Sequence, residues 1–105
     1  MTSSSSQSTY PKYIGCYKDK YRRDLDGLYI DYDLENTPSK CIDFCSSYNF
    51  KYAGVQYEYQ CWCGDSYNKY GLAENCNLPC QNNNTLICGG AWANNIYEMS
   101  HISII

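Results

Sequence analysis

Eight cysteines in a chain of 105 residues limit what this sequence can fold into. Their local spacings, C-x3-C, C-x-C and C-x3-C, differ from the C-x2-C knuckles of zinc sites, and the single histidine, His101, follows the last cysteine. An even number of cysteines in so short a chain is typical of a disulfide-stabilised domain made in an oxidising compartment. We therefore expect four disulfides, a secreted or cell-surface location, and no bound metal or cofactor. The eight positions are Cys16, Cys41, Cys45, Cys61, Cys63, Cys76, Cys80 and Cys88.

The composition narrows the range of partners. Charged residues make up 18% of the chain, against about 25% in an average domain, and the net charge is −3. This balance argues against nucleic acid, which needs a basic surface, and the short apolar runs argue against membrane insertion. Tyrosine occurs 13 times, and its ring suits positions that are packed at one end and hydrated at the other.

The chain divides into three parts. Residues 1–9 are almost all Ser, Thr and Gln, so we expect a disordered linker or an expression remnant there. A folded domain is expected over residues 10–99, followed by a short tail at residues 100–105.

One helix and several short strands are predicted within the domain. Thr37 suits a helix N-cap, Pro38 suits the first helical position, and Asn49 suits the left-handed residue after the last turn. The apolar stripe of this helix is formed by Cys41, Phe44, Cys45 and Tyr48. Strands are predicted at Tyr13 to Tyr17, Leu28 to Asp33, Tyr52 to Tyr57, Cys61 to Gly64 and Ala93 to Met99, with an irregular loop from Asn75 to Gly90.

The spacing of four cysteines favours a link between the helix and one strand. Cys41 and Cys45 lie one helical turn apart, and Cys61 and Cys63 point to the same face of a strand. Bonds Cys41–Cys61 and Cys45–Cys63 would clamp the helix to the sheet, although eight cysteines allow roughly a hundred pairings. Trp62 would then face away from the helix.

The segments around the cysteines resemble the WSC domain. Three parts carry the resemblance: GCYKD at 15–19, RDL at 23–25 and TPSKCIDFC at 37–45; YAGVQY at 52–57 with CWCG at 61–64; and CNLPC at 76–80 with CGG at 88–90 and IY at 96–97. The resemblance implies a small α+β, PAN/apple-like fold in which one main helix packs on a short antiparallel sheet. It also implies the disulfides Cys16–Cys76, Cys41–Cys61, Cys45–Cys63 and Cys80–Cys88.

The same resemblance implies a non-catalytic extracellular module that binds carbohydrate. The expected ligand is a cell-wall or matrix polysaccharide such as β-glucan, or a glycoprotein glycan; the alternative is a protein–protein recognition module of the PAN/apple type. Catalysis is not expected, because His101 falls in the tail and oxidised cysteines offer no thiolate. The acidic run from Asp24 to Glu35 offers carboxylates that could hold calcium, but it lacks the spacing of an EF-hand loop, and strand residues that alternate toward solvent explain Asp31 and Asp33 equally well.

Aromatic residues are the candidate binding groups. Trp62, Tyr59, Tyr67 and Tyr70 are predicted to be exposed and to form a shallow sugar-stacking surface, with Asp65 and Asn68 bonding the hydroxyls. Other aromatic rings could simply fill the core around the disulfides. We expect about half of the tyrosines to be core residues. The rings assigned to the core in this interpretation are Tyr17, Tyr52, Tyr57 and Trp92. Asn83 begins the sequon Asn83-Asn84-Thr85 and is a predicted N-glycosylation site.

Overall fold

A computed structural model describes residues 10–99 of the protein. The predicted linker at residues 1–9, the tail at residues 100–105 and His101 lie outside these described residues. Within residues 10–99, seven strands and two helical segments follow in the order β1 (Lys12–Lys18), β2 (Leu28–Asp31), a 3-10 turn (Asp33–Glu35), α1 (Pro38–Ser47), β3 (Tyr52–Gln56), β4 (Gln60–Gly64), β5 (Pro79–Cys80), β6 (Asn83–Ile87) and β7 (Ala93–Glu98). No helix among the described residues is long and apolar enough to cross a membrane.

Five of the strands form one antiparallel sheet in the order β1-β7-β3-β4-β2. The first and last strands of the domain are neighbours, and Lys12 pairs with Glu98. β5 and β6 form a separate two-stranded sheet. The fold is a small α+β domain with one main helix on an antiparallel sheet, as predicted.

The helix begins where the capping residues predict. Thr37 is the N-cap, and its Oγ1 accepts a hydrogen bond from the Lys40 backbone N–H at 3.1 Å. Pro38 opens the helix, where its missing N–H costs nothing. Asn49 follows with φ 67°, the left-handed conformation that ends many helices.

Two predicted segments differ from the structure. The strand that was expected to reach Asp33 stops at Asp31, because the Asp31 carboxylate accepts the Asp33 N–H at 2.7 Å and Asp33 turns to φ 58°. The segment from Asn75 to Gly90 is not irregular throughout, since it contains the β5–β6 hairpin. A disulfide between Cys80 and Cys88 closes this hairpin, which has too few paired residues to be stable alone.

The face of the sheet that packs on α1, here called the helix face, is held by sulfur and small apolar side chains. Cys41–Cys61 and Cys45–Cys63 join α1 to β4, and Ala53 of β3 is fully buried beside them. The remaining bonds are Cys16–Cys76 and Cys80–Cys88, so the structure contains the four pairs that the resemblance implies.

The opposite side, here called the outer face, is covered by two loops instead of a helix. Leu25 from the loop 19–27 is buried on this face, and its Cδ1 lies 2.6 Å from the position that a Cβ on Gly54 would take. Glycine at this point of β3 therefore permits the loop to approach the sheet. The second loop, residues 65–73, is joined to the first through Asp24, whose carboxylate accepts the backbone N–H groups of Asn68 at 3.0 Å and Lys69 at 2.7 Å.

Candidate functional site

The outer face carries the candidate site, and Trp62 of β4 is one of the aromatic residues on this face. Cys61 and Cys63 on either side of Trp62 are bonded to α1, so strand alternation turns the indole to the outer face. Tyr29 of β2 pairs with Trp62 across the strands, and their ring centroids are 4.3 Å apart. The indole Nε1 donates a hydrogen bond to Gln60 Oε1 at 3.2 Å, which fixes the orientation of the ring.

Arg23 lies between two tryptophans on this face. Its guanidinium carbon is 4.3 Å from the ring centroid of Trp62 and 4.8 Å from that of Trp92. Both distances are within the range of favourable cation–π contact. The Arg23 Nη1 also donates to the Asp19 carboxylate at 2.8 Å. A guanidinium carries five N–H donors, so this bond leaves donors for another molecule.

The buried carboxylate of Asp19 fixes the position of Arg23. Its carboxylate is buried and accepts the side-chain N–H groups of Arg23 and Gln56, each at 2.8 Å. It also accepts the backbone N–H groups of Lys20 and Asp24, each at 2.9 Å. A buried carboxylate with four donors is well compensated, so the charge of Arg23 is held at a defined place.

A cleft of about 310 Å³ opens beside Arg23. The two exposed rings at its walls are Trp92, 53% exposed, and Tyr57, 47% exposed. The lining is completed by Arg23, Gln56, Gln60 and Ala91. A second, shallower depression of about 300 Å³ shares Arg23 and is bordered by Tyr29 and Trp62. Apolar rings beside a few amide and guanidinium donors are the kind of lining that small-molecule sites have.

The backbone is strained at both exposed rings of the cleft. Tyr57 has φ 53° and Trp92 has φ 55°, in the left-handed region that bulky residues rarely adopt. The Tyr57 N–H donates to the Gly90 carbonyl at 3.2 Å, and the Trp92 carbonyl accepts the Asp19 N–H at 2.8 Å. Such conformations cost about 1–3 kcal/mol each and cluster at functional sites. The strain therefore supports the cleft as the site.

Tyr29 remains protonated at neutral pH. Burial raises the pKa of Tyr29 above its ordinary value, and the nearby charge of Asp31 raises the pKa further. Its hydroxyl is therefore a neutral donor and acceptor at the edge of the second depression.

The aromatic residues predicted as exposed are partly buried, and they are distributed over the surface. This holds for Trp62, Tyr59, Tyr67 and Tyr70, so the predicted exposure is wrong. Two of them pack away from Trp62. Tyr67 contacts Tyr17 and Tyr52, with ring centroids 5.0 and 4.8 Å away, and the Tyr70 hydroxyl donates to the Arg22 carbonyl.

The other three residues predicted to bind sugar, Tyr59, Asp65 and Asn68, do not form a single group with Trp62. Tyr59 packs against Tyr57 with a centroid distance of 5.6 Å, next to the cleft. Asp65 is exposed and accepts the Lys51 N–H at 3.0 Å. Asn68 is exposed and has φ 76°, so it acts as a turn residue above Asp24. Any sugar-binding role of Asp65 and Asn68 stays a prediction.

Two aromatic rings that were predicted to pack in the core are exposed. Trp92 and Tyr57 are exposed, whereas Tyr17 and Tyr52 are half-buried. None of the 13 tyrosines is fully buried, so the expectation that half of them form the core is also wrong. The Tyr hydroxyl explains this result, because full burial would require a partner for each one.

The sulfur and carboxylate groups have structural partners. The Sγ atoms of Cys41, Cys45 and Cys61 lie within 4.8 Å of one another, but all three are in disulfides and offer no thiolate to a metal. In the acidic run, the Asp24 carboxylate accepts hydrogen bonds from two backbone N–H groups. The Asp26 carboxylate forms an ion pair with Lys69 Nζ at 3.6 Å.

Fold and site together define a small disulfide-stapled α+β domain with an aromatic cleft on its outer face. The family model for the WSC domain matches residues 13–90, and the chain belongs to this family. It is similar to Xylosyltransferase oxt of Drosophila pseudoobscura pseudoobscura, with 43% identity over 81% of this chain and 10% of that protein. Human Kremen protein 1 is 40% identical over 76% of this chain and 18% of its own length.

A fungal relative extends the comparison. A WSC domain-containing protein of Arthroderma benhamiae is 32% identical over 86% of this chain and 11% of its own length. The chain therefore spans 10–18% of the length of these three relatives, which corresponds to the WSC domain alone.

Proposed function

We propose that the domain is a non-catalytic extracellular module that binds carbohydrate through the cleft on its outer face. The ligand class is a cell-wall or matrix polysaccharide such as β-glucan, or the glycan of a glycoprotein. The observation that carries this proposal is the placement of Arg23, which lines the cleft, between the rings of Trp62 and Trp92.

The residues of the cleft have two proposed roles, stacking and hydrogen bonding. The exposed rings of Trp92 and Tyr57 offer flat surfaces for the C–H faces of a sugar ring. Gln60 and the free N–H groups of Arg23 are placed to bond hydroxyl groups. Trp62 supports Arg23 from the other side and is itself largely covered by Arg23 and Tyr29. The stacking role thus moves from Trp62, where the sequence predicts it, to Trp92 and Tyr57.

Two features support recognition without catalysis and outside the cell. The residues that line the cleft are Arg, Gln, Tyr, Ala and Trp, and they supply no carboxylate, imidazole or thiol for acid–base or nucleophilic chemistry. The four disulfides are those of a protein made in an oxidising compartment. Trp, Tyr and Arg are also enriched at protein-binding hot spots, and this composition favours protein recognition as the second candidate.

The test is to measure polysaccharide binding by the protein and by Trp92→Ala. We expect wild-type affinity of about 0.1–1 mM for a short β-glucan oligosaccharide, and a loss of about tenfold in Trp92→Ala because one stacking face disappears. Tyr48→Ala is the matched control, since Tyr48 is a 58% exposed aromatic residue at the end of α1, on the helix face. Near-UV circular dichroism checks that each variant is folded.

A glycan array with the same proteins separates the two candidates. Equal binding by Trp92→Ala and wild type would contradict the cleft as the glycan site. Absence of binding to every glycan on the array, together with capture of a purified receptor ectodomain that Trp92→Ala does not capture, would favour the protein-recognition candidate.

A further inference from the structure

β6 is the most exposed strand of the described region. All five residues from Asn83 to Ile87 are exposed, and among residues 10–99 the strand pairs only with the two-residue strand β5. Leu86 is 37% exposed and Ile87 is 40% exposed. They border a groove of about 310 Å³ that is otherwise lined by Tyr13, Pro38, Cys76, Asn95 and Tyr97. An exposed strand with apolar side chains invites pairing with another chain, and natural proteins protect such edges.

The sequon stands at the first residue of this strand. Asn83-Asn84-Thr85 is the only N-x-S/T sequence in the chain. The Thr85 backbone N–H and Oγ1 both donate to the Asn83 Oδ1, at 3.1 and 2.6 Å. These bonds occupy the side-chain carbonyl and leave the Asn83 Nδ2 without a hydrogen-bond partner among residues 10–99. Asn83 is itself exposed, so its side-chain nitrogen is accessible to a modifying enzyme.

We propose that Asn83 carries an N-linked glycan, which shields the edge of β6 and the adjacent groove. The donor class is an oligosaccharide linked to a polyprenyl pyrophosphate. A C–N bond forms between Nδ2 and the anomeric carbon of the sugar, and the bond from that carbon to the pyrophosphate oxygen breaks. The pyrophosphate leaves with the bonding electron pair, and Nδ2 loses one proton to the solvent or to an enzyme base. No atom is oxidised or reduced.

The position of the sequon favours a glycan over a partner strand as the cover of β6. A large polar group at the first residue of the strand obstructs the alignment that a second strand would need. Asn83, Asn84 and Thr85 make the first half of β6 polar, and the apolar residues Leu86 and Ile87 follow. Asn83 does not line the carbohydrate cleft, so this modification is independent of ligand binding there.

The modification is tested on the full chain secreted from a eukaryotic host. Intact-mass measurement should show an added glycan on wild type and on Thr85→Ser, which keeps the sequon. It should show none on Asn83→Gln or Thr85→Ala. Treatment with an amidase that removes N-glycans should leave aspartate at position 83 and at no other asparagine. Secretion of wild-type protein without a glycan, or an added glycan on Thr85→Ala, would overturn the proposal.

The shielding is tested by sedimentation of the same proteins over a range of concentrations. We expect glycosylated wild type and Thr85→Ser to remain monomeric where Thr85→Ala and Asn83→Gln self-associate. Near-UV circular dichroism and a thiol assay show that the variants keep their fold and disulfides. Equal sedimentation of all four proteins would refute the shielding, while the mass data decide the modification separately. Polysaccharide binding by the cleft should be the same in all four.

Discussion

The two faces of the sheet are built by different means. On the helix face, disulfides from Cys41 and Cys45 fix α1 to β4, and the space between is filled by small apolar groups. On the outer face, two loops are held by the buried carboxylates of Asp19 and Asp24, which bond backbone and side-chain N–H groups. The covalent face is closed, whereas the hydrogen-bonded face holds an open cleft. The difference places the covalent links on one face and the proposed binding cleft on the other.

Reduction of all disulfides should have the largest effect. Each bridge contributes about 2–4 kcal/mol, and a domain of this size has a total stability of about 5–15 kcal/mol. The reduced protein should therefore unfold at room temperature, with loss of the helix signal in far-UV circular dichroism and of dispersion in the NMR spectrum. A dispersed native spectrum in excess reductant would show that the helix face does not depend on its bridges.

Removal of the anchor on the outer face should have the next largest effect. Asp19→Ala leaves Arg23 without its ion pair and the buried Gln56 amide without one of its acceptors, so the free energy of unfolding should fall by about 3 kcal/mol. Glycan binding should weaken as well, because Arg23 is released.

The control for this variant is Asp43→Ala, which removes an exposed carboxylate from α1. Chemical denaturation measures the stability of both variants, and hydrogen exchange of the loop 19–27 reports the local change. A loss of stability in Asp19→Ala no larger than in Asp43→Ala would mean that the loops, not the carboxylate, hold the outer face.

The helix cap should have the smallest effect. Thr37→Ala removes the acceptor for the Lys40 N–H and should cost about 1 kcal/mol, whereas Thr37→Ser should be nearly neutral. Thermal unfolding of the three proteins measures the difference. Identical melting temperatures for Thr37→Ala and wild type would mean that the disulfides alone position the start of α1.

Local patterns predicted the helix face well. Thr37, Pro38 and the spacing of Cys41 and Cys45 are short-range signals, and they place the helix and its contact with β4. Strand alternation also predicted that Trp62 turns away from the helix. The β5–β6 hairpin was missed because its Asn-rich sequence has low strand propensity and a disulfide closes it.

The cleft was harder to predict because its parts come from distant segments. Arg23 and Trp92 are 69 positions apart in the sequence, and no periodic pattern links them. Trp92 also has a left-handed backbone conformation, two residues after Gly90, and tryptophan rarely adopts this conformation. Only the tertiary structure shows that this ring is exposed and paired with Arg23.

The pairing of Lys12 with Glu98 has a mechanical consequence. A pulling force applied at these two residues would unzip β1 from β7 up to Cys16, where the bond to Cys76 takes the load. The covalent path then runs to Cys80, crosses to Cys88 and continues along β7. The segments enclosed by the two bridges, with sequence separations of 60 and 8, are bypassed and cannot be extended. Of the two exposed rings of the cleft, Trp92 lies on the load path and Tyr57 does not, so tension would act on one wall of the cleft, whereas α1 stays joined to β4 by two disulfides that the load path does not include.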